Sequence, residues 1–196
     1  GMVFMALLVH SSAGQASADN NKKDDFSYFS EQFADLKILR YNIPGFDALT
    51  LQQKKLAYFL SRAALAGRDI YWDQNYKHNL TIRRILEQIM LTFKGDRDSE
   101  LFKKFTVYTK RVWFSNGIHH HYGNDKFIPD FTEQEFRYLI ARSRSKQYPL
   151  SNGETLAQLI DRIVPIMFDP QIDNKKVCLD AGIDLVECSA VNFYEG

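Results

Sequence analysis

The chain has 196 residues, with 25 lysines and arginines against 24 aspartates and glutamates. A formal net charge of +1 supplies no basic field for nucleic acid, and 45% hydrophobic with 25% charged residues argues against a largely disordered chain. Two cysteines, Cys178 and Cys188, cannot build a disulfide framework; with no histidine near them, they read as ordinary thiols.

Residues 2–9 are an apolar run too short to span a bilayer, and Ala16-Ser17-Ala18 has the small-x-small form of a signal peptidase site. Residues 1–18 are therefore read as an export signal or its remnant, which implies an exported or periplasmic protein. A disordered tail on a cytoplasmic protein is the alternative. Residues 19–34, opening with a run of charged and polar residues, read as a solvated leader. No other apolar run approaches membrane-spanning length.

From residue 35 the pattern becomes structural. Leu36, Ile38 and Tyr41 suit a short strand, and Ile43-Pro44-Gly45-Phe46 has the residues of a type II turn, because Pro presets one φ and Gly supplies the positive one. Thr50 and Gln53 form a capping-box signature. The helix that follows, over residues 50–66, carries Leu56, Phe59, Leu60, Ala63 and Ala64 on one stripe, with Gly67 as its stop. A second helix has Ile82, Ile85, Leu86, Ile89, Met90 and Phe93 in phase and ends near Gly95. A third over residues 99–114 buries Leu101, Phe105, Tyr108 and Val112. A fourth starts at Thr132, with Glu135 completing a capping box, and buries Phe136, Leu139 and Ile140. A fifth carries Leu156, Leu159, Ile160, Ile163, Val164, Met167 and Phe168, with Pro165 expected to bend or break it. Residues 178–194 read as loop with one strand at most. The fold class is mainly α, or α+β with a few short strands. Stripes so rich in large aromatics suggest a surface made for more protein than these residues supply.

The five histidines are His10, His78, His119, His120 and His121, and none is followed by glutamate, so no H-E-x-x-H zinc helix exists. There is no G-x-S-x-G elbow and no phosphate-binding glycine loop. His119 and His121 would share one side of an extended segment, with Asp125 as the nearest third ligand for zinc or copper; a small metal-binding protein is one reading of that run. A polar loop bonded to backbone or water is the other. Asn79-Leu80-Thr81 matches the glycosylation pattern, as many helix starts do.

Three blocks carry a resemblance. Leu60-Ser61-Arg62-Ala63-Ala64 is followed by Gly67 and residues 69–75. Trp113-Phe114-Ser115-Asn116-Gly117 leads into residues 121–129, with Tyr122-Gly123, Asp125 and Lys126-Phe127 ahead of Pro129. Ser189-Ala190-Val191-Asn192-Phe193-Tyr194-Glu195-Gly196 is the third. In this order they resemble the N-terminal part of the dipeptidyl peptidase III family of zinc exopeptidases, closest to its bacterial branch, over about residues 35–196. The resemblance implies a parent enzyme that releases dipeptides from the N-terminus of short peptides, in a two-lobed fold. The family's H-E-x-x-G-H and E-E-C-R-A-D/E zinc segments are absent here. Residues 35–196 are thus expected to be the N-terminal helical part of the lower lobe, truncated at its C-terminal end and inactive alone.

On that expectation this chain has no catalytic residue and no cofactor of its own, and zinc belongs to the full-length protein. Its partners are short peptides and the remaining domains of the same enzyme, with no nucleic acid and no membrane span. The aromatic-Gly pair puts Tyr122 near the subsite for the substrate's N-terminal side chain, and His121, His120 and Asn116 are the companion substrate-binding candidates. A stand-alone helical module that binds a peptide or protein is the rival from another class.

Overall fold

In the first part of the chain, polar sequence pairs into a β-hairpin. The computed structural model describes residues 26–122, 125–143 and 147–173, and the backbone alone of 176–177 and 186–187. The expectations for residues 1–18, for the two cysteines and for the third resemblance block lie outside these. The chain divides into two units, residues 1–57 and 58–196.

In the first unit β1 (Phe29–Phe33) pairs antiparallel with β2 (Leu36–Leu39), Phe33 opposite Leu36, with an irregularity between Phe29 and Glu31. Residues 29–33 are therefore strand, which corrects the reading of 19–34 as leader; Tyr41 falls outside β2. The tight reversal at Ala34-Asp35 puts Ala34 at φ 47°, a place where Gly or Asn would have signalled the turn. The type II turn forms as expected: Gly45 has φ 83° and ψ −3°, and the Phe46 N–H donates to the Ile43 carbonyl at 3.2 Å. A single 3-10 turn (Phe46–Ala48) follows.

The Thr50 capping box opens α1 (Leu51–Ala66). The Gln53 N–H donates to Thr50 Oγ1 at 3.3 Å and the Thr50 N–H to Gln53 Oε1 at 2.9 Å. The apolar stripe of α1 is nevertheless not core. Leu56, Phe59 and Leu60 are 59%, 64% and 62% exposed, and no residue of the helix is buried. Gly67 ends α1 but does not turn the chain away: at φ −80° it stays right-handed and α2 (Arg68–Asn75) begins at the next residue. That helix, not anticipated from the sequence, buries only Trp72.

The core of the second unit is built by α3 (Asn79–Thr92), α4 (Glu100–Ser115), α5 (Glu133–Ala141) and α6 (Leu156–Phe168). The α3 stripe of Ile82, Ile85, Leu86 and Ile89 is almost fully buried. It meets Phe102, Phe105, Tyr108 and Val112 of α4, with Phe102 in the core where Leu101 was expected. Phe93 stacks on Phe102 at 5.0 Å, and Phe131 packs among Phe105, Tyr108, Phe136 and Phe168 with ring centroids about 6 Å apart. Ser99, Thr132 and Thr155 cap the starts of α4, α5 and α6 by accepting from first-turn N–H groups, the last two as complete capping boxes. Pro165 does not break α6, which runs on to Phe168. The proline stands on the exposed face, so the carbonyl it leaves unbonded one turn earlier is open to water.

Two residue pairs, β3 (Lys176–Val177) and β4 (Val186–Glu187), close an antiparallel ladder. The described residues are thus mainly helical with short strands. Among them no helix is long and apolar enough to cross a membrane.

Candidate functional site

The end of α4 delivers the site. Asn116 adopts the left-handed conformation (φ 53°, ψ 36°), which asparagine tolerates because its short polar side chain satisfies local backbone. The Gly117 N–H then donates back to the Val112 carbonyl at 3.0 Å and the Asn116 N–H to Trp113 at 3.4 Å, closing the helix in a Schellman arrangement. The chain leaves as an extended arm over residues 118–120. It pairs with residues 125–127 through the Phe127 N–H on the Ile118 carbonyl at 2.8 Å and the His120 N–H on the Asp125 carbonyl at 2.7 Å.

Buried asparagine holds this arm from its other side. Asn79, at the first turn of α3, is 1% exposed. Its Nδ2 donates to the Asn116 carbonyl at 3.3 Å, and its Oδ1 accepts the Ile118 N–H at 3.2 Å. Asn75 Nδ2 reaches the same Asn116 carbonyl at 3.5 Å. Asn79 therefore has no free amide to carry a glycan, which disposes of the glycosylation pattern at that position.

The arm presents its three imidazoles to different surroundings. His119 is 6% exposed, edge-on to Tyr76 at 5.1 Å, with Nε2 against the Asp173 carbonyl at 3.2 Å. A carbonyl only accepts, so the His119 proton sits on Nε2. His120 is half-buried, and its Nδ1 accepts the Tyr122 N–H at 3.2 Å, which leaves the His120 proton on Nε2. His121 is exposed, bonds through Nδ1 to Ser115 Oγ at 3.2 Å, and stacks on His120 at 4.5 Å. Tyr122 lies over His121 at 4.3 Å and is 85% exposed.

A further set of bonds ties the arm to the end of α6. The Tyr76 hydroxyl donates to Asp173 Oδ2 at 2.5 Å, and Lys126 Nζ donates to the carbonyls of Asp169 (2.8 Å) and Ile172. Burial lowers the Lys126 pKa, opposed by the nearby Asp173 and Asp169 carboxylates. The cation caps carbonyls just past the helix end, where a positive charge is favoured. His78, beside Tyr76, also has a lowered pKa, first from burial and then from the neighbouring Lys77 and Arg162 charges.

Asn75, Asn79, Ser115, Asn116, Gly117 and the three histidines line an open cleft of about 170 Å³. Of the expected binding residues, the structure brings Asn116, His120 and His121 into this cleft, while Tyr122 stands beside it on the histidine stack. Asn79, Asn75 and Ser115 were not anticipated. Among the described residues no group of three or more His, Cys, Asp or Glu is placed to hold a metal ion; Asp125 does not complete a set with His119 and His121.

The chain matches no protein-family model and no curated protein. The likeness to dipeptidyl peptidase III thus rests on the motif blocks themselves.

Proposed function

We propose that this chain is a wall of the peptide-binding cleft of a zinc-dependent dipeptidyl peptidase, related to dipeptidyl peptidase III, that cleaves dipeptides from the N-terminus of short peptides. The observation that carries the reading is Tyr122: a large aromatic, 85% exposed, braced by two imidazoles at the rim of an amide-lined cleft. Such a ring offers apolar area with a polar edge to a peptide side chain. The sequence lacks a His-Glu zinc pair, and the described residues bring no three metal-ligating side chains together; on this reading the zinc is held by other residues of such an enzyme.

The test is titration of the chain with a tetrapeptide bearing an N-terminal tyrosine, followed by NMR of the aromatic region. Tyr122 and His120 resonances are expected to shift, and Tyr122→Ala should weaken binding about tenfold, the equivalent of one aromatic contact of roughly 1–1.5 kcal/mol. Equal affinity in a folded Tyr122→Ala variant would make Tyr122 an ordinary surface aromatic.

A second reading, a stand-alone module that binds a peptide or protein, is favoured by the bare apolar stripe of α1. Its mark would be peptide binding lost in Leu56→Glu/Leu60→Glu and kept in Tyr122→Ala.

A further inference from the structure

We infer that Asn79 is the positioning residue of the cleft: its carboxamide replaces a neighbouring strand along residues 116–118 and so sets how His120 and Tyr122 are presented. This assignment rests on the reading above of Tyr122 and the histidines as peptide-binding. Both polar atoms of one buried side chain serve the same three-residue segment, Nδ2 on the Asn116 carbonyl and Oδ1 on the Ile118 N–H. That is the donor and acceptor pattern a paired peptide group would offer. The side chain fills the space beside Gly117, where an added Cβ would lie 2.2 Å from Nδ2. Few residues can take this role. Aspartate keeps the acceptor but loses the donor, leucine loses both, and glutamine, longer by one methylene, would carry its amide past both partners.

The effect reaches the exposed residues through backbone. Residues 118–120 are clamped between the Asn79 amide on one side and residues 125–127 on the other. His120 leaves that clamp with Nδ1 placed to receive the Tyr122 N–H, and the His120 ring then supports His121 and Tyr122. A shift in register at Asn116 or Ile118 would break the His120–Tyr122 bond first, since it is the last link and the most exposed.

The test uses the chain labelled with ¹⁵N-histidine. In the wild type, two-bond ¹H–¹⁵N spectra should show His120 held with its proton on Nε2. In Asn79→Asp the His120 nitrogens should move toward the averaged pattern of a freely exchanging ring, and affinity for the N-terminal-tyrosine tetrapeptide should fall about tenfold, with helical circular dichroism retained. Thr155→Ala, which removes a cap remote from the arm, is the comparator and should lower the melting temperature without moving the His120 signals. If Asn79→Asp does not fold, Asn75→Ala, which removes the weaker donor to Asn116, should give a smaller shift in the same direction. Wild-type His120 signals and affinity in a folded Asn79→Asp, or in Asn75→Ala where that variant stands in for it, would overturn the assignment and leave Asn79 as a packing residue. Should the wild type bind no peptide, the functional reading fails, while the tautomer signature still decides the role of Asn79.

Discussion

Gly117→Ala probes the contact between two residues that line the cleft. The new methyl carbon would stand 2.2 Å from Asn79 Nδ2, 2.8 Å from Cγ and 2.9 Å from Oδ1, where an ordinary contact needs more than 3.4 Å. Asn79 is 1% exposed and bonded at both amide atoms, so it cannot swing aside without giving up the Asn116 and Ile118 bonds. Two hydrogen bonds at about 1 kcal/mol each, with a buried amide left partly unsatisfied, put the cost at roughly 3 kcal/mol. The partner variant is Asn79→Ala, which loses the same bonds but removes the atoms that clash. In that background Gly117→Ala should keep only the backbone strain of a side chain at φ 159°, so the double-mutant cycle should show a coupling of about 2 kcal/mol. Urea unfolding followed by circular dichroism measures all four corners, with unchanged slopes as the check that one transition is being compared. Strictly additive costs would refute the reasoning, because they would mean that Gly117 and Asn79 do not share the space the structure gives them.

Thr132→Ala should lower stability by about 1 kcal/mol in the same assay, since the Glu135 N–H loses its acceptor at 3.2 Å; an unchanged midpoint would mean that water replaces the cap. The Glu135 carboxyl is held below its usual range, first by the Thr132 N–H and then by the Thr132 hydroxyl, so the box should loosen only as acid protonates it. His78 has a folded pKa below the ordinary 6.5, so its contribution is fully present above that value and is lost as pH falls through the lowered one. Acid titration of thermal stability should show this loss in the wild type and a flatter profile in His78→Asn; parallel profiles would remove His78 from the account. Arg83→Leu should destabilise the α2–α3 contact, because the buried guanidinium bonds Asp69 at 2.6 Å and Glu87 at 2.8 Å and lies over Trp72. Asp69→Asn alone should do less, as that carboxylate is half exposed; equal losses would point to the ion pair rather than to Arg83 packing.

Much of the helical core was legible because two signals coincided. In α3, α4, α5 and α6 an apolar stripe in phase with 3.6 residues per turn begins beside a cap or ends beside a turn residue, and burial follows the stripe closely. Where only one signal was present, the reading failed. Residues 68–75 lack a stripe, since Trp72 alone is buried, and the glycine before them looked like a terminus. The β1–β2 reversal carries alanine in a left-handed conformation, so its turn had no residue to announce it. The α1 stripe was correctly seen as helical, yet a stripe reports only that a face is apolar, not what covers it.

The cleft was half legible, for a reason that applies to its least expected residue. Asn116, His120, His121 and Tyr122 stood out because loop polar and aromatic residues in a run invite a functional reading. Asn79 did not, because it was read within a three-residue pattern at a helix start. Its position in the larger pattern was the available signal. Asn79 falls three residues before Ile82 and seven before Leu86, in phase with the buried stripe of α3. A polar side chain in phase with a core face is either a destabilising error or a bonded group, and buried amides in folded proteins are overwhelmingly bonded. Its partner had to be backbone lacking a regular ladder, and the nearest such backbone is the turn where α4 closes on an asparagine in a left-handed conformation. The cost of burying that amide is therefore met by the same two bonds that shape the cleft, which couples the stability of the α3–α4 pair to the geometry of the arm. A substitution at Asn79 cannot disturb one and spare the other.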